Sequence, residues 1–308
     1  MILLTGTSGY IGHHLKEHLS AKGFSFRYVV RTVVPVTYSC SNIFPISQLD
    51  GKTNWKGAFD NVKTVIHLAG IAHVKDVSAS DYLNVNTHGA FHLANEAAKA
   101  GVKRFVYVSS IGVNGTATLN NSFSAFDKAN PQNAYSKSKY DAEVGLKKIA
   151  ADTGLELVIV RPTLVYGANA PGNFGMLTKL VNKLSFFPFG LTDNKRDFIA
   201  VQNLADLLIT CANHPSAAGH TFLASDGETV SINEFTNAIA KGLNKKLIQL
   251  PVPVSLMRLV ARLAGKSVMA EQLLGNLQVD SSNAHEVLGW TPPYTMEQAM
   301  ALLLENKK

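Results

Sequence analysis

Short apolar runs alternate with longer stretches of helical period through the first half of the chain. Ile2-Leu3-Leu4, Phe26 to Val30, Val62 to Leu68, Lys103 to Val108 and Glu156 to Val160 read as short buried strands. Between them, Gly9 to Lys22, Tyr82 to Ala100 and Asn133 to Thr153 read as helices. Strands with no polar face that alternate with helices imply a parallel sheet covered on both sides, which is doubly wound α/β architecture. After about Gly167 the texture changes. Helical segments dominate, punctuated by Pro171, Gly172, Pro188, Gly190, Pro251, Pro253, Pro292 and Pro293. Strand-like pieces there are Phe198-Ile199-Ala200-Val201 and Thr221-Phe222-Leu223. The pattern predicts a sheet domain over 1–167 and a smaller C-terminal α/β lobe over 168–308, partly interleaved with the sheet. One segment there is amphipathic: Leu256, Leu259, Val260 and Leu263 share a helix face, and Arg258, Arg262 and Lys266 fall on another. A basic amphipathic helix can lie on a membrane. The segment is read instead as an ordinary lobe helix with a solvated basic face.

Composition narrows the class. Hydrophobic residues make up 46% of the 308 positions, enough for a substantial core, and charged residues only 17%, against the usual roughly 25%. Disorder and coiled coil are excluded. No apolar run approaches the ~18 residues of a membrane helix, and Met1 to Gly6 has no basic region of the kind that opens a signal peptide. The two cysteines, Cys40 and Cys211, make no disulfide framework and no zinc spacing. Both are read as buried or incidental thiols in a reducing, cytoplasmic setting. The net charge of +7 favours anionic partners, but the basic residues are scattered, so nucleic acid is not expected. The excess suits a phosphate-bearing small molecule or plain solvation.

Thr5-Gly6-Thr7-Ser8-Gly9-Tyr10-Ile11-Gly12 follows the first strand and opens a helix. Gly6 permits the tight turn, Gly9 lets the backbone approach a pyrophosphate, and Gly12 allows close helix–strand packing. The helix N-terminus then faces the phosphates. A NAD site commonly places an acidic residue at the end of the second strand, yet none lies between Glu17 and Asp50, and the strand ends at Arg31. A guanidinium suits the 2′-phosphate of NADP, which is favoured slightly over NAD. Leu68, Ala69 and Gly70 close the third strand with small residues where a cofactor can lie against backbone, and His67 is read as packing rather than catalytic.

Tyr135 and Lys139 are four apart at the start of a helix and share one face. A phenol of ordinary pKa near 10 is a poor acid or base at neutral pH. A nearby ammonium and an oxidised nicotinamide ring would stabilise its phenolate and make it a useful one. Ser109-Ser110 closes the fourth strand about 25 positions earlier. A hydroxyl there can bond the same substrate oxygen.

Glycine turn, strand-end serine and Tyr-x-x-x-Lys, in that order, resemble the extended short-chain dehydrogenase/reductases of the nucleotide-sugar epimerase/dehydratase family. Further similar stretches are Asn84 to Gly89, Arg161-Pro162-Thr163-Leu164-Val165-Tyr166-Gly167, Arg196 to Val201 and Leu288 to Pro292. The resemblance implies a Rossmann sheet with a nucleotide-sugar lobe. It also implies that Ser110, Tyr135 and Lys139 are catalytic, with Lys139 also holding the nicotinamide ribose and lowering the tyrosine pKa. On the cofactor side it implies Gly6, Ser8, Gly9, Tyr10, Ile11 and Gly12 of the turn and Arg31, Gln48 and Leu49 near the adenosine. Leu68, Ala69, Gly70, Asn86 and Pro162 join Tyr135 and Lys139 around the rest. For the substrate, Arg196 resembles the arginine that grips the pyrophosphate, Asn173 a phosphate contact, and Asp280 a contact to the nucleotide or to a neighbouring helix. Gln48 stands where an Asp commonly meets adenine, Asn114 where a Tyr often precedes the glycine in UDP-galactose 4-epimerases, and Asn203 where an Asp is usual.

Ser109 to Gly115, His67 to His73, Ala224 to Gly227 and Leu277 to Ser282 resemble the branch of bacterial surface-polysaccharide enzymes. The leading expectation from that branch is reduction of a UDP-4-keto-6-deoxy-N-acetylhexosamine at C4 by NADPH. The alternative is a C4 epimerase on UDP-glucose or UDP-N-acetylglucosamine. A 4,6-dehydratase would carry Asp-Glu where Ile111-Gly112 stands, and a non-catalytic NADP sensor would not need the intact catalytic set. Relatives commonly dimerise through helices corresponding to 82–100 and 133–153, so a homodimer is expected.

Overall fold

The computed structural model describes residues 1–32, 42–72 and 76–305. Cys40 and the His73 end of the His67–His73 stretch lie outside the described residues. β1 (Ile2–Thr5) leads into α1 (Tyr10–Ala21), β2 (Phe26–Arg31), β3 (Ile43–Ile46) and β4 (Thr64–His67). A continuous helical stretch follows: α2 (Ala79–Tyr82), a π-helical segment over Leu83–His88, and α3 (Gly89–Lys99). Then come β5 (Arg104–Val108), α4 (Ala134–Thr153), β6 (Glu156–Pro162) and β7 (Leu164–Tyr166). The remainder is α5 (Gly172–Lys183), β8 (Phe186–Phe187), β9 (Arg196–Ala200), α6 (Val201–Asn213), β10 (Thr221–Ala224), β11 (Thr229–Val230), α7 (Ile232–Gly242), β12 (Ile248–Gln249), α8 (Val254–Leu263), α9 (Ser267–Leu274), α10 (Ser282–Leu288) and α11 (Met296–Glu305).

Seven parallel strands form the central sheet in the order β3-β2-β1-β4-β5-β6-β10. The direction of winding reverses between β1 and β4, and a crevice opens at such a switch point beyond the strands' C-terminal ends. Every residue of β1, β4 and β5 is buried. That is what a strand covered on both faces requires, and it explains why their middle positions are apolar on both sides. Leu15 and Leu19 of α1 and Leu204 and Leu208 of α6 cover one face. Leu93 and Ala97 of α3 and Ala142 and Leu146 of α4 cover the other. A third core, around Tyr166, Phe174, Phe198 and Phe235, holds the lobe together, with Phe198 and Phe235 stacked at 3.8 Å.

Three features differ from the sequence expectations. β3 is absent from the sequence expectations; it contains Pro45, which cannot donate to a ladder, and it lies at one edge of the sheet. β10, which read as part of the lobe, joins the central sheet beside β6, with Phe222 opposite Val160. α6 also packs on that sheet, so the chain re-enters it after residue 167. Finally, α8 is turned the opposite way from the expected lobe helix. Val254 and Met257 face the lobe core, while Leu256, Leu259, Val260 and Leu263 are exposed. None of the described helices is long and apolar enough to cross a membrane.

Candidate active site

Sterics build the glycine turn. Gly6 sits at φ +81°, where a Cβ would be strained and would lie 2.6 Å from the Ala69 amide nitrogen. A Cβ on Gly12 would overlap the Gly6 carbonyl oxygen. The turn is therefore pressed against Leu68-Ala69 after β4, at the switch point of the sheet. α1 begins behind Gly9 with no side-chain cap and no acidic residue in its first turn. Its first amides and the positive end of its dipole are left for an anion. This cradle fits a dinucleotide pyrophosphate. Arg31, exposed at the end of β2, makes no ion pair among the described residues. Gln48 donates to the Asp50 carboxylate at 2.6 Å, and the Leu49 side chain is committed to the core beneath α3.

His67 ends β4 fully buried and shares a 2.7 Å hydrogen bond with the Thr5 hydroxyl. Burial, and then the nearby Lys139 charge, push its pKa down to about 3, so it is neutral and structural. An unfolded chain would bind a proton at His67 below about pH 6.5 while the folded one would not until about pH 3. Stability is thus fully present above pH 6.5 and lost as the pH falls. At pH 4.5 the loss from this group should reach about 2–3 kcal/mol. Urea unfolding at pH 7 and pH 4.5 tests it: His67→Asn should flatten the pH slope, and an unchanged slope would assign the loss to other groups.

Asn86, in the π-helical segment, accepts from the Ile71 amide at 2.7 Å and donates to the Ile71 carbonyl and to Ser138 Oγ. It ties the loop after β4 to α4. A Cβ on Gly70 would meet both Asn86 Oδ1 and Lys139 Nζ, so Gly70 lies directly against the side chains of Asn86 and Lys139. α4 starts at a capping box between Asn133 and Ser136, which sets Tyr135 in its first turn. Tyr135 packs edge-on to Tyr82. Burial pushes its phenol up to about 12; the Ser110 hydroxyl acts in the opposite direction. Lys139 Nζ donates to the Val108 carbonyl at 3.0 Å and lies 4.9 Å over the Tyr107 ring. The expected lowering of the phenol by this ammonium is not seen here: burial raises it, and the opposing influence comes from Ser110. Burial also brings Lys139 itself down to about 8, and the Glu143 carboxylate opposes the shift.

The strand-end serines point different ways. Ser110 caps the short turn over Ile111–Val113, accepting from the Gly112 amide at 3.1 Å, and lies on the Tyr135 side. Ser109 points inward and donates to Glu143 Oε1 at 2.5 Å. Glu143 also pairs with the buried Arg161, whose Nε donates at 2.9 Å and whose Nη1 reaches Asn114 Oδ1 at 2.9 Å. Ser110, Tyr135 and Lys139 are therefore brought to one place, beside Gly70 and the turn, over a buried ionic floor.

Residues 2–225 match the NAD dependent epimerase/dehydratase family. The chain belongs to that family. It is 40% identical to a UDP-glucose 4-epimerase of Vibrio cholerae over 320 aligned residues, covering 100% of this chain and 97% of the relative. It is 26% identical to the N-acetyl-alpha-D-glucosaminyl-diphospho-ditrans,octacis-undecaprenol 4-epimerase of Escherichia coli O157:H7, covering 99% and 94%. The fold is that of the UDP-N-acetylglucosamine 4-epimerase of Bacillus cereus, with a TM-score of 0.81 at 18% identity over 100% and 99% of the two chains.

Other expected positions of this epimerase/dehydratase family member are placed less centrally. Pro162 ends β6 at its C-terminal edge, paired with Ala224. Arg196 is buried at the start of β9, donates to the Gly275 carbonyl at 2.9 Å, and is brought down to about 10 by burial. Asn173, at the start of α5, donates to Gln272 of α9 at 3.3 Å. Asp280 accepts from the Ser282 amide two residues on, at the start of α10. Glu143 was not singled out from the sequence. A usable signal was there, because it lies one turn beyond Lys139 and two beyond Tyr135 on the same helix face.

Proposed function

We propose that this protein is a UDP-hexose 4-epimerase that works with a bound nicotinamide dinucleotide. The observation that carries the reading is 40% identity, over essentially the whole of both chains, to a UDP-glucose 4-epimerase. It favours the epimerase over the 4-keto reductase that the sequence put first. The dinucleotide supplies acceptance and return of hydride at sugar C4. Tyr135 takes the proton from the C4 hydroxyl and returns it to the same oxygen once the 4-keto sugar has turned its other face toward the hydride, and Ser110 hydrogen-bonds that oxygen. Lys139 holds the nicotinamide ribose, with Asn86 shaping the loop it faces. Arg196, freed from or sharing the Gly275 carbonyl, and Asn173 take the sugar-nucleotide diphosphate; a guanidinium fits that group by paired hydrogen bonds. Either NAD or NADP fits the turn, and Arg31 is the residue that would meet a 2′-phosphate. A cytoplasmic setting and a homodimer through α3 and α4 complete the proposal; Val144 on the outer side of α4 is exposed.

The test is incubation with UDP-glucose and with UDP-N-acetylglucosamine, followed by proton NMR of the sugar. Inversion at C4 without net cofactor consumption is the expected result. Stoichiometric NADPH oxidation with a UDP-4-keto-6-deoxy-N-acetylhexosamine, and no inversion of either UDP-hexose, would restore the reductase.

A further inference from the structure

We infer that the outer face of α8 docks on an anionic lipid bilayer, with α9 beside it. The helix has two apolar sides. Val254 and Met257 are spent on the lobe core. Leu256, Leu259, Val260 and Leu263 project outward, and Leu263 at the helix end is 81% exposed. Three leucines and a valine gathered on one outward helix face form an apolar patch rather than singly scattered surface residues. The face is continued past the turn by Val268 of α9, 76% exposed.

Charge selects the occupant. Arg258, Arg262 and Lys266 follow one edge of this apolar face. Arg258 is held by Glu271 of α9 at 2.8 Å, whereas Arg262 and Lys266 have no carboxylate partner among the described residues. An outward apolar face rimmed by free cations is complementary to anionic headgroups over acyl chains. A second copy of the face is a poor occupant, because its own free rim is cationic and the adjoining Glu271 is already paired with Arg258. The inference does not depend on which reaction the active site performs. It has a geometric consequence for that site: α9 carries Gln272, bonded to Asn173, and is followed by Gly275, bonded to Arg196. Docking would bring the mouth of the nucleotide-sugar lobe to the lipid surface.

Co-sedimentation of the whole protein with vesicles tests this. Binding to phosphatidylcholine–phosphatidylglycerol vesicles should exceed binding to phosphatidylcholine alone by roughly tenfold or more, and should weaken with salt. Leu259→Glu with Leu263→Glu should abolish it, and Arg262→Glu with Lys266→Glu should remove the preference for anionic lipid. These positions are exposed, so circular dichroism and turnover of soluble substrate should be unchanged in both variants. Failure to sediment with anionic vesicles would overturn the inference. So would undiminished binding of the leucine variant, or sedimentation velocity showing that the leucine substitutions split a dimer.

Discussion

Tyr135→Phe is expected to lower kcat about 10³-fold, within the range of a lost general acid–base group, and to leave dinucleotide affinity unchanged. The substitution removes one oxygen and keeps the ring against Tyr82. Structure and cofactor cradle should therefore survive. The pH profile discriminates chemistry from packing. Burial holds the phenol high, near 12 in this state, so the deprotonated fraction and the rate should both rise with pH in the parent enzyme. The Phe variant should show a residual rate without that limb. Ser110→Ala should cost less, about tenfold to a hundredfold, because it deletes one hydrogen bond to the reacting oxygen and one brake on the phenol's pKa. A Phe variant with parental turnover would remove Tyr135 from the chemistry and, with it, the epimerase reading. Loss of dinucleotide binding in the same variant would show a structural role instead.

The sequence was legible where local rules coincide with the tertiary environment. Buried parallel strands carry no polar face, so β1, β4, β5 and β6 stand out as apolar runs. The glycine turn is legible because backbone contacts at Gly6 and Gly12 admit no side chain. Tyr135 and Lys139 share a face through helix geometry alone. Legibility fails where the decisive neighbour is distant in sequence. Nothing around Thr221 says that it will pair with Ile159 and extend the sheet. The outward face of α8 has the same periodicity as an inward one, and only packing of Val254 and Met257 against the lobe decides the direction. The state of the Tyr135 phenol is equally non-local. The spacing to Lys139 says that an ammonium can be near, but the Val108 carbonyl and Tyr107 ring that hold that ammonium come from β5.

Arg161→Met is expected to destabilise the fold by about 3–5 kcal/mol, because it strands a buried carboxylate without its counter-charge. Glu143 is 1% exposed and Arg161 4%, and the two meet through paired hydrogen bonds close to Ser109 and Lys139. Without the guanidinium, Glu143 keeps, among the described residues, only the Ser109 hydroxyl as a hydrogen-bond partner, and Asn114 loses the donor to its Oδ1. Glu143→Gln should be milder, since an amide can still accept from Ser109 or Arg161. It should carry a second signature, because the carboxylate opposes the burial that lowers Lys139. The lysine would then lose its proton below about pH 8, and dinucleotide affinity should fall off at lower pH than in the parent. The double variant Glu143→Leu with Arg161→Met separates an ion pair that is merely compensated from one that drives folding. Removing both charges should recover most of the stability lost by Arg161→Met alone, because the penalty lies in the unpaired charge and not in the missing attraction. Urea midpoints at constant m-value read all three variants. Additive losses in the double variant would mean that the pair contributes net stability, and single losses below about 1 kcal/mol would mean that water or Lys139 replaces the missing guanidinium.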